Sequence, residues 1–255
     1  MIVVAVVNQK GGVAKTTTAL ALAAVLRRMG KKVLMMDPDP RRDATDTYRA
    51  QYLNVATLYD VLVAEDSIWD SVQHTEQGDI LASDKMLEDI EQKLTEIGRE
   101  YKLRENIEGI PEGVYDFIVI DTPPQPGVIL NNVLTAADIC IIPITPDRYA
   151  LRGVEQLDQA IARVRKYSNR NLKIGGFLVT KCDPQLKLTK QTLKELPPAA
   201  AAMNTKVFKT LIREAVVAKE AQAKCMGLYD YAPNSNPAAD YVSFAEEFLE
   251  TLEGV

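Results

Sequence analysis

The sequence predicts an α/β fold, a mostly parallel twisted sheet with helices on both faces. Three observations predict it. The chain opens with an apolar run, Ile2 to Val7, that leads into a glycine-bearing loop and then an Ala-rich helical stretch. Further short, continuously apolar runs follow, each suited to a strand buried on both faces. Between them, apolar residues recur three and four positions apart, the pattern of amphipathic helices. With 47% apolar residues among 255, a large core spread over both faces of one sheet is expected, and residues 1–255 read as a single domain.

Taken in order, Ile2 to Val7 is the first, central strand. Thr16 to Met29 is a helix stopped by Gly30, and Lys32 to Met36 is a short buried strand ending in Asp37-Pro38-Asp39-Pro40. Two short helices (44–50 and 57–64) precede a strand near 79–82. Leu87, Ile90, Leu94, Ile97 and Tyr101 hold helical spacing, predicting one amphipathic helix with an acidic outer face. Gly109, Pro111 and Gly113 mark a loop, and Phe117 to Ile120 is a strand with Asp121 at its end. Ile139 to Ile142 is a strand ending at Pro143, followed by a helix from Tyr149 to Tyr167 and a strand from Leu172 to Thr180. A helix from Gln185 to Leu196 is stopped by Pro197-Pro198. A short strand at Val207-Phe208, a helix over 213–224, a loop over 233–237 and a final helix from Asp240 to Leu252 complete the chain.

Composition excludes several classes. The longest apolar runs fit buried strands rather than membrane spans, and the N-terminus lacks the basic lead of a secretory signal, so a cytoplasmic protein is expected. Cys140, Cys182 and Cys225 are scattered and form no C-x-x-C pair. With one histidine in the chain, a four-ligand metal site is not expected.

The loop Lys10-Gly11-Gly12-Val13-Ala14-Lys15-Thr16-Thr17 carries the first functional signal. A strand, a glycine-bearing loop and a helix together hold a nucleotide phosphate, because loop N–H groups and the positive end of the helix dipole face the anion. Lys15 is placed to reach the β/γ-phosphates and the Thr16 hydroxyl to ligate Mg²⁺. In extended chain Asp37 and Asp39 point the same way, which suggests metal or water handling, with turn formation as the alternative. An apolar strand ending in Asp121 after such a loop suits a carboxylate that holds Mg²⁺.

These residues resemble the deviant Walker A family of ATPases, P-loop NTPases, and within it the ParA plasmid and chromosome partition proteins. The resemblance rests on the Lys10–Thr17 loop, on Asp37-Pro38-Asp39-Pro40 and on Ile120-Asp121-Thr122-Pro123-Pro124. It continues through Ile142-Pro143-Ile144-Thr145-Pro146, Tyr149-Ala150-Leu151-Arg152-Gly153, 212–221 and Tyr229-Asp230-Tyr231-Ala232-Pro233-Asn234-Ser235, covering nearly the whole chain. It implies ATP/ADP and Mg²⁺ as ligands, with Lys15, Thr16, Asp37 and Asp121 around phosphate and metal. It implies that Lys10 crosses into a partner subunit of an ATP-sandwich homodimer and that Asp39 orients the attacking water. Pro143, Asp147, Pro233 and Asn234 would lie near the adenine. The chain departs from the family pattern at Ala14, usually glycine, at Arg41, commonly Gln, and at Asp43, usually a small amide or hydroxyl residue.

Charge is uneven. Residues 60–121 hold 17 acidic and 5 basic residues, whereas 148–224 hold 16 basic and 6 acidic. The basic half suggests a surface for an anionic polymer, here non-specific DNA, or else helix faces solvated by lysine. The candidates are Arg163, Lys166, Arg170, Lys187, Lys190, Lys194, Lys206, Lys209, Arg213 and Lys219. The function expected is DNA segregation by an ATP-driven dimer, nucleoid-associated when ATP is bound and stimulated by a ParB-like centromere-binding partner. The chain starts at its first strand, so no N-terminal DNA-reading domain is expected. The alternative is a MinD-like membrane-surface or cargo-positioning ATPase. The acidic end, Phe244 to Glu253, speaks against anionic lipid. Iron–sulfur relatives of the same fold need cysteines at the dimer axis, which three scattered residues do not supply.

Overall fold

The computed structural model describes residues 1–147 and 150–253. Among the described residues eight strands form one sheet: β1 (Ile2–Val6), β2 (Val33–Met36), β3 (Gln73–Thr75), β4 (Gly78–Leu81), β5 (Phe117–Asp121), β6 (Ile139–Ile144), β7 (Lys173–Cys182) and β8 (Val207–Arg213). Their order is β3-β4-β2-β5-β1-β6-β7-β8, parallel throughout except for β3 against β4. The helices are α1 (Lys15–Arg28), α2 (Asp43–Thr47), α3 (Leu58–Val63), α4 (Ile68–Ser71), α5 (Ile90–Lys93), α6 (Lys102–Glu108), α7 (Val128–Ala136), α8 (Ala150–Tyr167), α9 (Lys187–Ala202), α10 (Val216–Ala223), α11 (Leu228–Tyr231) and α12 (Asn236–Glu253).

Side-chain alternation along the strands divides the core in two. Val3, Ala5, Leu34, Met36, Ile118 and Ile120 face α3 and α6 to α9. Val4, Val6, Val33, Met35, Phe117 and Val119 face α1, α2, α11 and α12, where Tyr241, Phe244 and Phe248 are buried. Both faces are covered, as the continuously apolar strands require.

β1 lies between β5 and β6, with Val6 level with Asp121 and Val4 level with Ile139. Met36 is level with Ile120, so Asp37 emerges beside Asp121. At one end of the sheet β3 covers the edge of β4. At the other, α12 does the covering: Glu247 accepts the N–H groups of Lys209 at 2.7 Å and Thr210 at 2.9 Å, and Asp240 accepts that of Arg213 at 3.0 Å.

Several sequence expectations change. The helix expected over Leu87 to Tyr101 is broken into a 3-10 turn (Lys85–Asp89), α5, and a second 3-10 turn (Arg99–Tyr101) that leads into α6. Gly98, at φ 85°, takes a left-handed conformation that interrupts the helix, and Ile97 is fully exposed rather than core-facing. β6 does not end at Pro143 but runs on to Ile144. The Pro143 carbonyl accepts from the Asn8 side chain at 2.8 Å, so its missing N–H faces the side where β1 has already ended.

Pro197-Pro198 do not stop α9, which continues to Ala202. Both prolines are exposed, while Leu196, Ala200 and Met203 anchor that face in the core. β8 is seven residues long rather than two, α10 starts at Val216 rather than 213, and α12 starts at Asn236. Pro237 sits in the first turn of α12, where its absent N–H removes no helical bond. Tyr149, expected to open α8, lies outside the described residues.

Candidate nucleotide site

Asn8, two residues past the end of β1, tethers the start of the loop. Its amide donates to the Pro143 carbonyl, and its carbonyl oxygen accepts the Lys10 N–H at 2.9 Å. Gly12 has φ 77° and Ala14 φ 63°, both left-handed. Ala14 therefore keeps the backbone shape that glycine would adopt more easily, and it is the residue from which α1 starts. Val13 is buried, and its carbonyl accepts from the Thr180 hydroxyl at 3.1 Å. Lys181 donates to the Gly12 carbonyl at 2.8 Å, and Thr122 to that of Val6 at 2.8 Å.

Lys15 enters α1 only 6% exposed, and its ammonium lies 3.4 Å from the Lys10 carbonyl. Burial lowers its pKa, while Asp121 and Asp39 draw it upward. Asp121 is fully buried, and neither carboxylate oxygen has a partner in good hydrogen-bonding geometry, although the Thr16 hydroxyl is near enough to act on it. Burial pushes its carboxyl well above the usual range and Asp37 adds to this, while the Thr16 hydroxyl and Lys15 pull back. A bare buried carboxylate beside a hydroxyl and an ammonium suits a small divalent cation, so the residues present fit Mg²⁺.

Asp37 has a different environment. One of its oxygens accepts from the N–H of Thr45 at 2.8 Å and its hydroxyl at 2.7 Å, and the other accepts the Asp39 N–H at 3.1 Å. It thereby satisfies an N–H in the first turn of α2 and the bend that leads to it. Burial is the main reason its pKa rises to about 7, against the pull of those hydrogen bonds. Asp39 is 3% exposed, and its carboxylate is gripped by Arg41 through Nε and Nη2, the shortest contact being 2.7 Å.

Lys10 forms an ion pair with Asp147 of its own chain, and the Thr145 hydroxyl donates to the same carboxylate at 2.8 Å. Asp147 is thus placed on Lys10, and Pro143 on Asn8. Pro233 and Asn234 lie exposed between α11 and α12. The cleft beside Ala14 and Thr17 is lined by Lys181, Arg213, Ala215, Ala218, Gln222 and Pro237. Sequence reasoning missed Asn8, Thr180 and Lys181 as loop supports. The available signal was their place at the C-terminal ends of strands in a parallel sheet.

The basic candidates are spread over several elements. Arg163 and Lys166 occupy the last turns of α8, with Arg170 just beyond, at the end of the sheet where β7 starts. Lys187 and Lys190 open α9 at the phosphate-loop end, with Lys194 farther along the same helix. Lys206, Lys209 and Arg213 follow the edge strand, and Lys219 lies on α10. Arg213 is held by Asp240 at 2.6 Å, Lys219 by Glu214 at 3.1 Å, and Lys206 reaches the Thr251 hydroxyl at 2.6 Å.

Residues 1–174 match the family model described as an AAA domain. The chain is 35% identical over 249 residues to the sporulation initiation inhibitor protein Soj of Bacillus subtilis (strain 168), covering 96% of this chain and 97% of the relative. It is 35% identical over 254 residues to the chromosome partitioning protein ParA of Caulobacter vibrioides (strain NA1000 / CB15N), covering 97% and 93%. Cobyrinic acid a,c-diamide synthase from Mycobacterium smegmatis, solved with bound ADP and magnesium, superposes with a TM-score of 0.85 at 29% identity, covering 99% of this chain and 96% of that one. Among the described residues no helix is long and apolar enough to cross a membrane.

Proposed function

The chain belongs to the Soj/ParA family of chromosome-partitioning P-loop ATPases, and from that premise we propose that it hydrolyses ATP to drive segregation of plasmid or chromosomal DNA. The observation that carries the reading is the meeting of Lys15, Thr16 and the unpartnered Asp121 where β1 and β5 end. Gly11 to Thr17 supply backbone donors for the phosphates, and Lys15 supplies a cation that burial has already stripped of water. Thr16 and Asp121 would hold Mg²⁺, with Asp37 shaping the approach. When bound, the ion neutralises charge on the phosphates.

Asp39 orients the attacking water, and Lys10, released from Asp147, completes the site of a second copy. A cation delivered across a dimer makes hydrolysis depend on association, because phosphoryl transfer is catalysed mainly by positioning and charge neutralisation. Exposed lysines and arginines of α8 and α9 are the surface proposed for non-specific DNA, doubled on dimerisation, and a ParB-like partner stimulates turnover. The protein would then be cytoplasmic, and nucleoid-associated with ATP. The membrane-surface alternative calls for a free basic amphipathic helix. α12 instead turns Tyr241, Phe244 and Phe248 into the core, which favours the DNA reading.

The test is ATP-dependent dimerisation and DNA binding for wild type, Lys10→Ala and Asp39→Ala. Lys10→Ala should lose both responses, and Asp39→Ala should keep them without hydrolysis. DNA affinity should fall by about 0.9 log unit per log unit of salt for each phosphate neutralised. Equal DNA binding by the ADP- and ATP-loaded protein would sink the reading.

A further inference from the structure

The carboxylate assigned to the attacking water is already occupied. Asp39 Oδ1 accepts the Arg41 N–H at 3.0 Å and its Nε at 3.2 Å, and Oδ2 accepts Nε at 3.2 Å and Nη2 at 2.7 Å. Every one of these donors belongs to one residue. The backbone of Asp39 is fixed separately, its carbonyl accepting from the Ser83 hydroxyl at 2.7 Å and its N–H bound to Asp37. The two partners also differ in freedom. The Asp39 side chain is 4% exposed and that of Arg41 57%. Arg41 stands on the wall of an open cleft with Pro40, Glu88, Glu91, Pro123 and Gln125, so its head has room to leave while the carboxylate stays in place.

We propose that Arg41 is a positioning residue that withholds Asp39 from the attacking water, so that ATP turnover waits for the guanidinium to swing into the cleft. This rests on the nucleotide-hydrolysis reading given above. A carboxylate orients water by accepting its hydrogen bonds, and the fork of Arg41 occupies both oxygens with donors that never lose their protons. The guanidinium end of the clamp is more than half exposed, so water competes for Arg41 while the carboxylate stays buried. It is therefore a brake that slows the reaction without abolishing it. Glu88, exposed on the facing wall, offers the released guanidinium a second carboxylate.

The experiment compares wild type, Arg41→Gln, Arg41→Lys, Asp39→Ala and the Arg41→Gln/Asp39→Ala double variant. It reads kcat and KM for Mg·ATP, binding of a fluorescent ATP analogue, and thermal melting. Arg41→Gln should raise kcat about three- to tenfold, the scale of releasing one partly exposed ion pair, with KM unchanged within about twofold. Arg41→Lys, with one ammonium in place of the fork, should fall between. Both Asp39→Ala proteins should be inactive, showing that the gain runs through Asp39. A kcat for Arg41→Gln at or below wild type overturns the brake, as does a gain that survives loss of Asp39. If no protein binds the analogue, the nucleotide reading itself fails and the brake with it. Binding without acceleration removes the brake alone.

Discussion

Asp37 and Asp121 stand side by side at the ends of neighbouring strands, both with no exposed surface, and their surroundings are opposite. The oxygens of Asp37 are taken up by Thr45 and Asp39, whereas those of Asp121 have no partner in good hydrogen-bonding geometry. One carboxylate builds the turn into α2, and the other is left bare at a cost that a bound cation, or a proton, offsets. The same residue type in the same layer can thus support the fold or draw stability from it. Ala14 sits with Asp121 on that side of the comparison, since its left-handed backbone also costs stability at the phosphate loop.

Asp121→Asn tests the contrast most severely. ATP hydrolysis should fall about a hundredfold or more, while the melting temperature of the nucleotide-free protein holds or rises. Retained hydrolysis would remove Asp121 from the site. Asp37→Ala should do the reverse to the fold, costing about 2–5 kcal/mol in urea unfolding because the N–H groups of Thr45 and Asp39 lose their buried acceptor. A loss below about 1 kcal/mol would mean the turn does not need it.

The third test is pH. The Asp37 carboxyl titrates near 7 in the folded protein and that of Asp121 is also raised, so between pH ~4 and ~7 the folded state binds more protons than the unfolded chain. Metal-free stability should therefore decline as pH rises through that window. Asp121→Asn should flatten the decline, and a slope identical in that variant would contradict the raised value. Smallest is Ala14→Gly, expected to stabilise by about 0.5–1 kcal/mol, because relief of left-handed strain outweighs glycine's extra freedom in the unfolded chain. No gain in denaturant midpoint would mean the loop holds Ala14 without strain.

The loop and the three carboxylates were legible because their placement is local. A buried strand in a parallel sheet ends where the next turn must begin; Asp37 and Asp121 sit within a residue of such ends, and Lys15 opens the helix that follows the loop after β1. What was not legible depends on partners distant in the chain. Asn8 acquires its role from Pro143, Thr180 from Val13, and Lys181 from Gly12. The spacing of Leu87 to Tyr101 suited a helix, yet Gly98 broke it. Pro197-Pro198 looked like a stop, yet core packing of Leu196, Ala200 and Met203 carried the helix past them. Local propensity gave way where burial on one face was strong enough. The basic residues were visible as a composition, and composition carries no information about which face or end of the sheet each one occupies.

The carboxylates of Glu247 and Asp240 along β8 have a consequence outside catalysis. A last strand with free N–H groups is a template on which another extended chain can grow, the usual start of aggregation in sheet proteins. Here a helix from the same chain fills those donors with side-chain oxygens, so the edge offers an incoming strand a row of occupied positions and negative charge. A protein proposed to meet copies of itself repeatedly on a crowded surface is thereby steered to do so through its nucleotide face and not by extending its sheet.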